Sequence, residues 1–322
     1  MSRPKVLLSN PTIPSVAFDL LKVTCDVVTA KSGDKPSILE AVPGVDAILW
    51  CNSLRLDQDI LDAAGPQLKV VATSSSGYNH VDTGELKRRG IKFGNTPDVL
   101  SNAVADIAVL LALAASRRLT EGRFHIEKGT WANNGNNFQW MLGQDIAGST
   151  IGIIGFGGIG QAIAKRLLGF GIARILYTGH REKPEGKELG ARFVNLDTLA
   201  KESDFVIVAA PLTKETEHMC NADFFSKMKR TSILVNISRG QLVDQEALIN
   251  ALKEGQIFAA GLDVMVPEPL PPDNELLSLP NVVLLPHLGS ATVSTRNAMS
   301  ELAALNILRV LGGEEMFTPV PL

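Results

Sequence analysis

Residues Ile151 to Leu167 read IGIIGFGGIGQAIAKRL. The apolar run Ile151 to Ile154, rich in β-branched residues, predicts a buried strand. Gly155, Gly157 and Gly160 follow at once in the spacing G-x-G-x-x-G. Ile159, Ile163 and Leu167 then recur at helical spacing. In such a turn the first glycine permits the tight bend and the second lets the backbone approach a pyrophosphate. The third lets helix and strand pack closely, and the phosphate rests on the helix N-terminus. A lone glycine pattern is weak evidence, but strand before and helix after make it a specific dinucleotide signature.

Outward from this turn the chain alternates short β-rich runs with helical patterns. Ahead of it, Val6–Ser9, Val27–Val28, Ala47–Trp50, Leu68–Thr73 and Ile91–Phe93 predict strands. Helical patterns near Ser15–Leu21, Gln58–Ala63 and Thr83–Arg88 lie between them. Beyond it, Ile175–Tyr177, Phe205–Ala209, Ile233–Asn236, Ala259–Asp263 and Val282–Leu285 predict strands. Leu196–Lys201, Ala222–Met228 and Gln245–Lys253 predict the helices among them. Alternation of this kind makes parallel sheets with helices on both faces. Two apolar helical stretches, Ala103–Ala115 and Ala291–Leu311, bracket the second set and suit a seam between domains. The expected fold is therefore α/β, with two doubly wound parallel-sheet domains. A Rossmann-type nucleotide domain, 103–289, is inserted into a flavodoxin-like substrate domain made of 1–102 and 290–322. A cleft between such domains is the default place for a small substrate.

Composition narrows the function. The chain has 322 residues, enough for two domains. A charged fraction of 20% and an apolar fraction of 45% suit an ordinary globular protein. The formal charge of −3 makes no case for nucleic acid or an anionic membrane as partner. The N-terminal MSRPKVLLSNP meets charged and turn residues too soon for a signal peptide. The longest apolar run, Ile107 to Ala115, falls far short of the ~20 residues that span a bilayer. Cys25, Cys51 and Cys220 are odd in number and widely spaced, which suits neither a disulfide framework nor a zinc site. They read as small core residues in a reducing compartment, with the cytoplasm as the expected location. His80, His125 and His218 have no metal-ligand spacing and read as structural.

The charge pattern after the second strand bears on the cofactor. An acidic residue there commonly binds the adenosine ribose 2′-hydroxyl. Here Tyr177 leads into Thr178-Gly179-His180-Arg181, with no carboxylate before Glu182. An acid would repel a 2′-phosphate, whereas the planar fork of Arg181 suits one. The expectation is NADPH/NADP as preferred cofactor, with NADH/NAD possible.

Three further segments each follow a predicted strand. They are Asn236-Ile237-Ser238-Arg239-Gly240, Asp263-Val264-Met265-Val266-Pro267-Glu268-Pro269 and Leu285-Pro286-His287-Leu288-Gly289-Ser290-Ala291. All three should gather at the sheet edge that holds the cofactor. Reduction of a 2-oxo acid by hydride needs a cation to orient the carboxylate and polarise the carbonyl. It also needs a proton donor for the developing alkoxide and a carboxylate that favours the donor's charged form. Arg239, His287 and Glu268 supply one of each. Any one of them alone is more often structural; their joint occurrence after a nucleotide motif is what points to catalysis.

With these residues in place, the sequence resembles the D-2-hydroxyacid dehydrogenase family over nearly its whole length. Besides the glycine motif, the matching pieces include Thr73-Ser74-Ser75-Ser76-Gly77, Asn95-Thr96-Pro97-Asp98-Val99-Leu100 and the three segments above. The spacings also match, with 29 positions from Arg239 to Glu268 and 19 from Glu268 to His287. The resemblance implies that Arg239 binds substrate, that His287 is the acid–base and that Glu268 is its paired carboxylate. It implies that backbone amides at Ser76 and Gly77 hold the substrate carboxylate. It places Gly155, Phe156, Gly157, Gly158, Ile159, Gly160, His180, Arg181, Pro211, Leu212, Thr213, Ile237, Ser238, Asp263 and Gly289 around the cofactor, with Asp263 facing the nicotinamide carboxamide. It also implies a homodimer joined through the nucleotide domains. Trp140 is either an aromatic that reaches the partner's substrate site or an ordinary packed tryptophan. The implied reaction is NADPH-dependent reduction of glyoxylate to glycolate and of hydroxypyruvate to D-glycerate. Alternatives are an NADH-linked member acting on D-lactate or D-glycerate, or a nucleotide-sensing corepressor-like binding protein. One departure stands out: the family's usual Asp two positions after Gly77 is Asn79 here, followed by His80. That loop bears on substrate range.

Overall fold

The computed structural model describes residues 2–134 and 136–322. In chain order the first elements are β1 (Lys5–Leu8), α1 (Ser15–Leu21), β2 (Asp26–Thr29), α2 (Lys35–Ala41), β3 (Ala47–Trp50), α3 (Gln58–Ala64), β4 (Val70–Thr73), α4 (Thr83–Arg89) and β5 (Lys92–Gly94). Helices α5 (Ser101–Ser116) and α6 (Leu119–Glu127) follow. Then come β6 (Thr150–Ile154), α7 (Gly158–Leu168), β7 (Arg174–Thr178), α8 (Pro184–Glu188), β8 (Ala191–Phe193), α9 (Leu196–Glu202) and β9 (Phe205–Val208). The chain closes with α10 (Ala222–Lys227), β10 (Ile233–Asn236), α11 (Gln245–Lys253), β11 (Ala259–Leu262), β12 (Val282–Leu284) and α12 (Val293–Leu311). It divides into two compact units, Met1–Leu100 with Ala291–Leu322, and Ser101–Ser290.

The first unit holds a five-stranded sheet in the order β2-β1-β3-β4-β5, parallel throughout. This is the flavodoxin-like order. Its central strands AILW and VVAT are buried along their whole length, as strands covered on both faces must be. Trp50, Ile48, Ile60, Leu61 and Phe93 form the core on one face. Val6, Leu8, Leu49, Val70 and Ile307 form it on the other, where α12 returns to the unit.

The second unit holds a seven-stranded parallel sheet in the order β12-β11-β10-β9-β6-β7-β8. Counted from β6, this is the Rossmann order with one strand added. The two doubly wound sheets agree with the fold class expected from the sequence. The register decides where the site lies. Ile154 stands opposite Thr178 and Val208, Asn236 opposite Val208 and Leu262, and Leu262 opposite Leu284. Six strands thus end in one row, and the segments that follow them start at one edge.

Helix starts explain themselves locally. Asp34, Asp57, Asp82, Asn195, Asn221 and Asp244 each accept a backbone N–H of the turn they open, the usual side-chain cap. Helix α7 differs. Its cap is Gly157, with no side-chain hydrogen bond and no acid in the first turn. Elements beyond the sequence reading are short or lack an apolar face: α2, α8, β8, and α6, which buries none of its residues. Among the described residues, no helix is long and apolar enough to cross a membrane.

Candidate active site

The edge of the seven-stranded sheet carries the titratable groups. Strand β10 ends at Asn236, which is 1% exposed. Its side chain accepts from the Ser238 N–H at 3.1 Å and donates to the Arg239 carbonyl at 2.9 Å. The bend before Arg239 is thereby held from inside. Arg239 is half-buried and donates from Nη1 to the Ser238 carbonyl at 2.7 Å. Burial pushes its pKa down from the usual value, against the opposing pull of the Glu268 charge. A guanidinium still keeps its proton at neutral pH.

Strand β11 leads into Asp263, also 1% exposed. Its carboxylate accepts from the N–H groups of Leu288 at 2.6 Å and Gly289 at 2.8 Å. Its carbonyl accepts from the His287 N–H at 2.9 Å. One buried residue therefore ties the loop after β12 to the end of β11. Burial pushes the Asp263 pKa up, and the two amides only partly offset that. The loop it holds places His287 at φ +55°. Few non-glycine residues adopt that region, and where one does the surroundings must hold it there.

Glu268 joins the two loops. Its Oε1 accepts from the Met265 N–H at 3.0 Å, and its Oε2 lies 2.8 Å from Nδ1 of His287. Burial alone would raise the Glu268 pKa. The bond to His287, its charge, the Met265 amide and the Arg239 charge together outweigh burial and hold the carboxyl below its usual value. The segment carrying Glu268 is braced from α11: Gln245 accepts the Val266 N–H at 2.9 Å and donates to the Val266 carbonyl at 2.6 Å. It is also braced by Gly240, where a Cβ would run into the Met265 backbone. Glu268 thus links His287, through a hydrogen bond, to Arg239, through its charge, and the Nδ1 contact turns Nε2 of His287 to the other side of the ring.

The glycine turn after β6 and the loops after β7 and β9 start at the same edge. Gly155 takes φ +92°, and a Cβ on it would strike the Ala210 backbone. A Cβ on Gly160 would meet the Gly155 carbonyl, whereas Gly157 faces open space. Pro211 and Thr213 are tied together by Thr216, whose hydroxyl donates to the Pro211 carbonyl at 2.7 Å and accepts the Thr213 N–H at 2.8 Å. Next to them, a hydrogen bond with Thr213 and the charge of His180 help to hold Glu215 below its usual pKa. His180 and Arg181 are exposed. Trp140 packs edge-on against His125, ring centroids 5.2 Å apart.

In the first unit, the Ser76 carbonyl accepts from Asn95 Nδ2 at 2.7 Å and the Gly77 carbonyl from Ser75 Oγ at 2.8 Å. His80 lies 3.5 Å from Thr73 Oγ1. Cys25 and Cys220 are buried and Cys51 half-buried, all as free thiols. Burial pushes the thiols of Cys51 and Cys220 up, away from reactive thiolate.

A family model described as "D-isomer specific 2-hydroxyacid dehydrogenase, NAD binding domain" matches residues 109–289. The chain belongs to that family. The matched NAD binding domain of this 2-hydroxyacid dehydrogenase lies wholly inside the second unit. The chain is 49% identical over 296 residues to the glyoxylate reductase/hydroxypyruvate reductase of Mus musculus, covering 91% of this chain and 90% of that protein. It is 48% identical over 318 residues to the glyoxylate reductase of Thermococcus kodakarensis, covering 97% and 94%. Its fold is similar, at TM-score 0.86 and 36% identity, to the NADPH-dependent glyoxylate/hydroxypyruvate reductase of Sinorhizobium meliloti in complex with NADP and malonate. That likeness covers 99% of this chain and 97% of the other.

The dehydrogenase's own residues fit a dinucleotide. The open space at Gly157 and the uncapped, acid-free start of α7 leave room and N–H groups for a diphosphate. The supporting roles of three residues escaped the sequence reading: Asn236, Gln245 and the hydroxyl of Tyr177. Asn236 stands in one of the segments singled out above, but nothing local assigns its amide to the Ser238 N–H and the Arg239 carbonyl. Nothing in the sequence pairs Gln245 with Val266, 21 positions away.

Proposed function

We propose that this dehydrogenase is an NADPH-dependent reductase of short 2-oxo acids, converting glyoxylate to glycolate and hydroxypyruvate to D-glycerate. The observation that carries the reading is the 2.8 Å contact between His287 Nδ1 and Glu268 Oε2, with Arg239 in electrostatic reach. The names of the similar reductases support the substrate class.

The nicotinamide, when bound, supplies hydride. Arg239 orients the substrate carboxylate and polarises the carbonyl beside it, as a guanidinium fork does. The amides of Ser76 and Gly77 are the carboxylate's further donors in this reading. As hydride reaches the carbonyl carbon, the C=O π pair moves onto oxygen, and His287 gives that oxygen its proton from Nε2. Solvent then reprotonates the ring. Glu268 holds the proton on Nδ1, keeps the ring oriented and stabilises the imidazolium. Asp263 keeps the His287 loop in place. Arg181 would hold the 2′-phosphate when NADPH is bound.

The chain works as a homodimer joined through its second unit. Supporting this, Ile126, Trp131 and Phe138 are 65%, 57% and 96% exposed along one segment of that unit, with Leu119 and Leu142 near them. Trp140 lies in the same segment and is the residue that would approach the partner's site. The free cysteines suit a reducing compartment such as the cytoplasm.

The test is a grid of initial rates at 340 nm. NADPH and NADH are crossed with hydroxypyruvate, glyoxylate and pyruvate, with His287→Ala as control. Fast NADPH oxidation with the first two acids, lost in the variant, is the expected result. No turnover with any pair despite measurable nucleotide binding would overturn the assignment.

A further inference from the structure

The side chain of Tyr177 is 1% exposed, one residue from the end of β7. Its ring stacks on Phe156 with centroids 4.2 Å apart and planes at 25°, and tilts against Phe193 at 5.4 Å. Phe156 is the residue between the first two glycines of the nucleotide motif. The Tyr177 hydroxyl accepts the Lys183 N–H at 2.9 Å and donates to the Lys183 carbonyl at 3.3 Å. A single phenol therefore closes the loop 179–183 by holding both backbone groups of its last residue. The neighbouring helix α8 presses on the same atom: a Cβ on Gly186 would lie 2.6 Å from the hydroxyl. At the loop's other end the Gly155 N–H donates to the Thr178 carbonyl at 2.9 Å.

The loop so closed carries His180 and Arg181, both exposed and both outside any regular element. An exposed arginine on an unbraced loop loses loop and side-chain entropy on binding, and bracing the loop beforehand removes part of that loss. We propose that Tyr177 is a positioning residue for nucleotide discrimination: through its hydroxyl it sets the loop that presents Arg181 to the 2′-phosphate. The stacking on Phe156 ties that loop to the diphosphate turn, so one buried side chain aligns two parts of the nucleotide site. The proposal rests on the reading of Arg181 given above.

The experiment measures dissociation constants of NADPH and NADH by quenching of intrinsic fluorescence. The variants are Tyr177→Phe, Arg181→Ala and the double variant. Tyr177→Phe keeps the ring stack and removes only the hydroxyl. It should weaken NADPH about tenfold, the scale of one or two lost hydrogen bonds, and leave NADH almost unchanged. Added to Arg181→Ala it should cause no further loss of NADPH. A merely structural hydroxyl would instead weaken both nucleotides alike or neither; that result, with Arg181→Ala still selective for NADPH, overturns the role of Tyr177 alone. Equal weakening of both nucleotides by Arg181→Ala removes the 2′-phosphate reading itself. Gly186→Ala, which drives α8 against an intact Tyr177, provides the second variant should Tyr177→Phe fail to fold. It should show the same selective loss, and a Gly186→Ala protein with unaltered preference counts against the proposal.

Discussion

His287 combines an uncommon backbone, φ +55°, with a side chain held by one carboxylate oxygen at 2.8 Å. Replacing it by Ala leaves Asp263 still bonded to the Leu288 and Gly289 amides, because those are main-chain contacts. The expected outcome is a loss of kcat of about 10²- to 10⁴-fold, the usual weight of a general acid, with NADPH affinity unchanged. Steady-state rates and a nucleotide titration check it together, and unchanged turnover would remove His287 from the mechanism. Glu268 makes a pH prediction. Its folded pKa lies below the ordinary value, so its carboxylate stabilises the fold above the unfolded carboxyl value of about 4.3 and loses that contribution as pH falls through the folded value. The melting temperature of wild type relative to Glu268→Gln should therefore rise as pH climbs through the acid range toward the unfolded value of about 4.3. Asp263 acts in the opposite sense. Its raised pKa means that its contribution is greatest below the unfolded value and declines as pH rises through the folded one.

At the scale of elements, the site depends on loops braced from neighbouring secondary structure. Helix α11 shows it: Asp244 caps it by accepting the Ala247 N–H at 3.1 Å, and the next residue, Gln245, clamps Val266. Gln245→Leu removes both bonds while filling similar space. It should lower stability by ~1–2 kcal/mol, the net worth of two ordinary hydrogen bonds. The Glu268 segment would then move, so kcat should fall several-fold while the KM for NADPH holds. Urea midpoints and rate constants measured on one preparation separate the two effects, and an unaltered kcat at reduced stability would show that the clamp serves only the fold. Little of this bracing was legible in the sequence. The strands were, because residues buried on both faces must be continuously apolar. Helices such as α6, with no buried residue, leave no such trace.

For the whole molecule, nucleotide binding to the second unit should raise thermal stability by mass action. At a hundredfold excess over its Kd the gain is about 2.7 kcal/mol, which at ~2–4 °C per kcal/mol for a unit of this size is roughly 5–11 °C. Calorimetry with NADPH and with NADH at equal concentration checks this. A larger shift with NADPH follows from the Arg181 reading, and equal shifts would speak against it. Sedimentation of wild type and Phe138→Asp tests the dimer: wild type should sediment as a dimer and the variant, with a charge on a side chain 96% exposed, as a monomer, whereas a variant that sediments like wild type would show that this segment is not the interface.

From local order alone, the chain's residues determined the alternation of strand and helix, the glycine turn and the identity of the charged residues after each strand. Those features depend on period, on turn chemistry and on residue type, all of which are local. Only the tertiary structure decided that six strands end in register, so that segments starting at 155, 237, 263 and 285 share one edge. It alone decided that the Asp263 carboxylate is engaged by two amides 25 and 26 positions away, and that Gln245 and Tyr177 brace loops they do not belong to. Hydrogen bonds between residues so far apart leave no periodic mark in a sequence; they exist only once packing has brought the donors and acceptors together.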